Sequence, residues 1–244
     1  MFLIAAENYQ IKKTKHKGRG VFVKKEIAPG TVIGDYLGQV LSDAAAEKFE
    51  KKTKLFYAMD YADGDLAILP EDYKKAGVHL INHSCTPNCD TFYYFGHTLF
   101  FSLRRILPGE EITIDYNFDS AESSPDDACF CHSYFCRGTM AVSDKKLINN
   151  RKLYQEQSRG QKFKIAKKGT VLQPLLNYPR VIKDSLLYDL YANFTVPPVV
   201  YSDRFLPTIR EIRRRIRTTG RALKFKNLKL TILGINDGKL LASK

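Results

Sequence analysis

Three cysteines fall within eight residues, Cys129-x-Cys131-x4-Cys136, and two more, Cys85 and Cys89, sit in the segment from His79 to Cys89, HLINHSCTPNC. This placement constrains the fold more than any other feature. The count is odd and the chain of 244 residues is too long to need a disulfide scaffold, so clustered thiols point to a metal. A structural zinc closes tetrahedrally on four ligands. The late cluster supplies three, and the fourth must come from elsewhere: Cys85 or Cys89, with His132 or His83 as nitrogen alternatives. Buried free thiols are the competing reading, but three in eight residues behind an acidic stretch rarely pack that way. A shared metal folds the late segment back onto the Asn-His stretch and builds a site between them.

The first half reads as short strands punctuated by turns. GVFVKKEI and TVIGDYLGQV are extended and rich in β-branched and aromatic residues, with Ala28-Pro29-Gly30-Thr31 as a turn between them. Ser42 or Asp43 caps a helix over DAAAEKFEKK. FYAMDY and LAILP, joined by ADGD, form one hairpin. TFYYF and TLFFSLRRI, joined at Gly96-His97, form another. Pro108-Gly109 turns into EEITIDYNF. Strands and helices do not alternate regularly, which disfavours a parallel doubly wound sheet. Residues 119–128 are acidic, contain Ser and Pro, lack periodicity and read as a linker. Beyond residue 144, LLYDLYANFTV and PTIREIRRRIRTTGRALK have helical character, and KFKNLKLTIL alternates like an edge strand.

Charge divides the chain in two. Residues 145–244 hold 23 Lys and Arg against 6 Asp and Glu, whereas residues 1–144 hold 16 against 20. The acidic half suits a basic substrate, and the basic half, with its arginine-rich stretch at 209–221, carries the footprint of nucleic-acid contact. A solvated basic face is the plainer reading of the same run. Hydrophobic content of 44% is ample for a core, and no stretch reaches the length of a membrane span. The amino-terminal stretch lacks the basic region of an export signal, so the expectation is an intracellular protein in a reducing compartment.

Single motifs are weak, but their order is specific. KGRGVFV, then IGDYLGQ, LINHSCTPNC, GEEITIDYNF and CFCHSYFCRGTM together resemble the SET domain of protein-lysine methyltransferases with its post-SET zinc segment. The resemblance covers roughly residues 10 to 142. It implies a mainly β fold, a β-clip of small curved sheets with a pseudoknot; the carboxy-terminal extension lies outside the resemblance and reads from its own pattern as α+β. The resemblance divides the chain into a catalytic domain at 8–119, a linker at 120–128, a zinc segment at 129–142 and a basic extension at 143–244. S-adenosylmethionine contacts are implied for Lys17, Gly18, Arg19, Gly20, Tyr57, Asn82 and His83. Cys85 is implied as the fourth ligand of one structural zinc, with Cys129, Cys131 and Cys136. Tyr116 matches the catalytic tyrosine, Tyr36 and Tyr57 match channel tyrosines, and Phe118 completes the wall. Two positions depart from the family pattern: Ile114 stands where Phe or Tyr governs product multiplicity, and His79 stands where Arg is frequent.

The implied reaction is methyl transfer to a lysine amine of a basic protein, such as a histone, a histone-like protein or a ribosomal protein. The amine must be neutral, yet its free pKa is about 10.4. An apolar channel beside a positive sulfonium lowers that value, and in-line positioning supplies most of the remaining help. One rival is a non-catalytic, zinc-stapled module that binds nucleic acid or chromatin. Another is a SET-like protein without activity that reads a lysine tail. A cysteine hydrolase built on Cys85 and His83 has little support, since residues two apart on one turn need not face each other and no orienting group is evident. A histone substrate implies a nuclear location in a eukaryote or a host cell, and otherwise the cytoplasm.

Overall fold

The structure, a computed structural model, describes residues 1–61, 66–119, 128–133 and 136–182, together with the backbone of 235–236 and 239–240. The ADGD turn, most of the acidic linker, and the helices and strand expected between 186 and 233 lie outside the described residues. The described fold is mainly β, as the sequence implied. It is made of small, mostly antiparallel sheets with few helices.

The first pair is β1 (Tyr9–Lys13) with β2 (Arg19–Val23), antiparallel across the glycine turn. A second sheet orders β3 (Val32–Asp35) beside β9 (His97–Ser102) and then β8 (Cys89–Tyr94). A third orders β4 (Gln39–Ser42), β6 (Leu66–Leu69) and β5 (Met59–Tyr61). Val21, Val40, Ile68, Phe100, Ile106 and Ile112 are at most 1% exposed and lie in the core the sheets share. Between β4 and β5, α1 runs over Asp43–Thr53. Ser42 holds the N-cap position but its side chain makes no capping hydrogen bond, and Lys54 ends the helix in the left-handed conformation.

The β8–β9 hairpin departs from expectation by one residue. Its two-residue loop is Phe95-Gly96, not Gly96-His97, with φ of 48° and 77°. Two left-handed residues in succession give the loop whose twist matches the flanking strands. His97 instead pairs with Tyr94 as the first residue of β9. Its ring is drawn inward, Nδ1 lying 2.8 Å from Oδ2 of the fully buried Asp35.

A parallel contact makes the site. β7 (Asn82–His83) pairs with β10 (Thr113–Ile114), Asn82 opposite Thr113 and His83 opposite Ile114. The loop after β7 is pinned by Asn88, which is 3% exposed. Its amide donates to the Glu111 carbonyl at 2.8 Å and accepts from the Thr113 N–H at 2.9 Å. β11 (Phe118–Asp119) then runs parallel to β12 (Ala141–Val142), drawing the segment after the cysteines alongside the strand that follows Tyr116.

Two elements that the sequence reading did not single out complete the body. The helix α2 (Asp144–Ser158) packs on β8, with the Tyr154 ring 4.4 Å from that of Tyr93. From there residues 159–182 form a strap around the sheets. Gln161 Oε1 accepts from the Phe95 N–H, and the Phe163 ring lies against Gly96. The Ala166 N–H donates to the Tyr61 hydroxyl at 3.0 Å, and the Val40 N–H donates to the Thr170 carbonyl at 2.8 Å. Further on, the Tyr178 hydroxyl donates to Asp35 Oδ2 at 2.7 Å and the Val32 N–H donates to the Arg180 carbonyl at 3.1 Å. Among the described residues no helix is long and apolar enough to cross a membrane.

Candidate active site and metal centre

The sulfurs of Cys85, Cys129, Cys131 and Cys136 all lie within 4.8 Å of one another. A tetrahedral zinc with Zn–S bonds of about 2.3 Å separates its sulfurs by about 3.8 Å, so the four need contract only slightly to hold one. Backbone donors already face them. The N–H groups of Arg137, Cys131 and Gly138 point at the sulfurs of Cys85, Cys129 and Cys136 at 3.3, 3.4 and 3.4 Å. Such donors favour the thiolate, the form that binds metal. The hydrogen bond shared by Cys129 and Cys131 pushes the first thiol's pKa up and the second's down, so one member of the cluster is already disposed to ionise.

Of the alternative ligands, Cys89 is absent from the cluster. It is fully buried in β8, where burial raises its pKa well above that of a free thiol. His132 is also absent, its ring 5.9 Å from that of His16. His83 touches the cluster, with Nε2 3.4 Å from Cys85 Sγ. The two side chains therefore meet, although their spacing alone did not require it.

His83 links the metal cluster to Tyr116. Its Nδ1 accepts the Tyr116 N–H at 3.2 Å, so the ring proton sits on Nε2 and points at the Cys85 sulfur. Burial lowers its pKa to about 4, which keeps the ring neutral. The Tyr116 hydroxyl donates to the Ile81 carbonyl at 3.1 Å. Burial raises the Tyr116 pKa, with Tyr57 and Glu111 adding to the effect, so the phenol keeps its proton. Tyr36, 3% exposed, donates to the Tyr57 carbonyl at 2.6 Å, and its pKa is raised by burial and then by Tyr116. Phe118 lies 5.6 Å from Tyr116 and 5.3 Å from Phe56, extending the aromatic wall.

The glycine turn meets the same site from the other side. Asn82 Nδ2 donates to the Arg19 carbonyl at 3.0 Å and to Glu111 Oε1 at 2.7 Å, while Lys17 Nζ binds Glu111 Oε2 at 2.5 Å. A Cβ at Gly20 would lie 2.5 Å from Glu111 Oε1 and 2.9 Å from Asn82 Nδ2, so a side chain there would displace the Glu111–Asn82 pair. Gly18 has φ of 69° and open space beside it. Gly18, Arg19, Leu55, Tyr57, Tyr73 and Lys74 line much of a cleft of about 510 Å³, a volume suited to a nucleotide-sized ligand. The buried His79 packs against two of these residues, its ring 4.9 Å from that of Tyr57 and its Nε2 donating to the Tyr73 carbonyl at 3.1 Å.

Burial lowers the His79 pKa from 6.5 to about 4. The folded value lies below the unfolded one, so the stability tied to neutral His79 is complete above pH 6.5 and is lost as pH falls towards 4. The expected loss is about 2 kcal/mol by pH 5. Denaturant unfolding at pH 7.5 and pH 5 measures it. His83, lowered to about 4 in the same way, adds a similar loss over the same window, so His79→Gln should remove about half of the dependence, and an equally steep fall in that variant would exclude His79 as a source.

Three contributors escaped the sequence reading. Glu111, Asp115 and Arg137 stand inside the quoted motifs, but nothing in their spacing reveals their partners. Asp115, with its side chain 7% exposed, accepts two hydrogen bonds from Arg137 at 2.8 and 2.9 Å and one from Lys146 of α2 at 2.5 Å. Arg137 and Lys146 hold its pKa below the usual range against the opposing effect of burial. One carboxylate thus joins the strand of Tyr116, the cysteine segment and α2.

Comparison with known proteins agrees with this geometry. Residues 18–117 match the family model described as the SET domain. Histone-lysine N-methyltransferase ash1 of Drosophila melanogaster is 32% identical over 146 residues, covering 55% of this chain and 6% of its own length. Histone-lysine N-methyltransferase ASHR3 of Arabidopsis thaliana is 33% identical over 146 residues, covering 56% of this chain and 29% of its own. The chain therefore spans less than a third of either relative. Among solved structures, Arabidopsis thaliana SUVH6 in complex with SAM is 27% identical, with a TM-score of 0.45 over 54% of this chain and 33% of that one.

Proposed function

We propose that the protein is an S-adenosylmethionine-dependent protein-lysine N-methyltransferase acting on a basic protein, a histone or histone-like tail. The observation that carries the reading is the direct link between His83 and Tyr116, with Asn82 held against the glycine turn beside it. The histone-lysine methyltransferase names of the relatives support it.

Gly18, Arg19 and Tyr57, which line the cleft, hold the cofactor together with Lys17, Gly20, Asn82 and His83. S-adenosylmethionine supplies an activated methyl group and leaves as S-adenosylhomocysteine. Tyr36, Tyr57 and Tyr116 wall the lysine channel. An amine buried among these rings loses its proton more readily than in water, because desolvation disfavours the ammonium. The Tyr116 hydroxyl, kept protonated, orients the neutral amine and does not act as a base. Cys85, Cys129, Cys131 and Cys136 hold one structural zinc that fastens segment 129–142 to the catalytic unit at 8–119. The basic region beyond residue 145 contacts nucleic acid, and a histone substrate places the enzyme in the nucleus, in a eukaryote or a host cell.

The test is incubation of the full chain with labelled methyl donor and purified histones, followed by mass spectrometry of labelled lysines. Label on lysine is the expected result. Absence of label on histones and on whole nuclear extract, with zinc bound and the cofactor shown to bind, would sink the reading.

A further inference from the structure

Residues 151–182 carry eight Lys and Arg against a single acid, Glu156. Elsewhere on the described surface several exposed cations stand beside an acid, Lys25 with Glu7, Lys51 with Glu47, Lys75 with Asp72 and Arg105 with Glu26. On the strap, Lys162, Lys164, Lys167 and Lys168 are all exposed and form no ion pair among the described residues. The strap holds them in a fixed arrangement. Gln161, Phe163 and Ala166 are fastened to Phe95, Gly96 and Tyr61, and the Gly169 N–H donates to the Val40 carbonyl, while the lysines between these anchors are exposed.

We infer that this outward lysine row is a docking surface for duplex DNA. Unmatched like charges held side by side repel one another, and a polyanion relieves that repulsion while releasing its own counterions. The strap's aromatic rings are already engaged. Phe163 covers Gly96 and Tyr178 binds Asp35, and in the preceding helix Tyr154 packs on Tyr93. Single-stranded binding draws on exposed rings for base stacking, whereas duplex binding needs only cations that follow the phosphates. The choice of DNA rests on the proposed function. A free basic tail is repelled by this row, but a tail already bound to DNA brings a polyanion with it. The surface therefore suits a substrate presented on DNA.

The experiment uses the full chain and a labelled random-sequence DNA duplex, without cofactor or histone, so its outcome is independent of whether methyl transfer occurs. Affinity is read by fluorescence anisotropy between about 50 and 200 mM salt. Replacing Lys162, Lys164, Lys167 and Lys168 together by Gln should weaken binding and reduce the slope of log affinity against log salt by about 3 to 4. The same four positions as Arg should retain wild-type binding. Removing equal charge at exposed Lys24, Lys25, Lys48 and Lys52 should leave the slope within about 1 of wild type. An unchanged slope in the strap Gln variant overturns the inference, as does an equal loss in the control or a loss in the Arg variant. Tighter binding of single-stranded RNA or of acidic phospholipid vesicles through the same four lysines overturns it too.

Discussion

Cys85→Ser is expected to strip the protein of its metal and, with it, of its activity. Three sulfurs remain, but a structural zinc site draws about 10–16 kcal/mol from a full ligand set, and most of that is folding energy. Net stability of a domain this size is only about 5–15 kcal/mol, so a partial loss is decisive. The damage also spreads inward. The His83 Nε2–H loses its sulfur acceptor, and the Arg137 N–H, now 3.3 Å from that sulfur, loses its own. Elemental analysis should find bound zinc falling towards none, and limited proteolysis should cut near residues 129–142 first. Cys89→Ala is the matched control, since that thiol is equally buried but lies outside the cluster, and it should keep its zinc. Zinc retained by Cys85→Ser but lost from Cys89→Ala would place the metal elsewhere.

Tyr116→Phe tests the chemistry without dismantling the site. The ring stays packed against His83 and Phe118, and only the hydroxyl's bond to the Ile81 carbonyl is lost, a matter of about 1 kcal/mol in stability. Turnover should fall about 100- to 1,000-fold, as when one preorganised polar contact is removed from a reacting centre, with little change in affinity for the methyl donor. Because the phenol's pKa is raised, the wild-type rate should climb with pH as the substrate amine deprotonates, with no inflection from Tyr116. A variant with wild-type turnover would remove Tyr116 from the mechanism. Near-complete loss of donor binding would mark it as a cofactor contact instead.

Much of the site can be read in the chain because its motifs are local. A glycine pair, an Asn-His pair and three cysteines in eight residues each announce a chemistry within a few positions. What the sequence conceals is tertiary. The inner face of α2 repeats at helical spacing, but it presents Lys146, Asn150 and Gln157 alongside Leu147, Leu153 and Tyr154, so no apolar stripe marks it. Its polar members are used for Asp115 and for the β8 backbone, partners more than 30 residues away. The strap has no regular secondary structure and no periodicity, since its inward residues answer to whichever sheet lies beneath them. The β8–β9 loop is displaced by one residue because His97 is held by Asp35, a contact across 62 positions.

The strap also finishes what the sheets leave open. β3 offers its outer backbone to Leu3 on one stretch and to Arg180 and Val181 on another, and β4 offers its own to Thr170 and Val171. A chain cut after residue 143 would bare the outer edge of β4 and the start of β3, with apolar residues such as Val40 and Val32 beneath them, while Met1–Leu3 still cover the rest of β3. Such a fragment should self-associate through those strands, detectable as concentration-dependent oligomers by light scattering, even with its cysteine cluster intact. What looks like a basic appendage is then also the element that keeps the protein monodisperse.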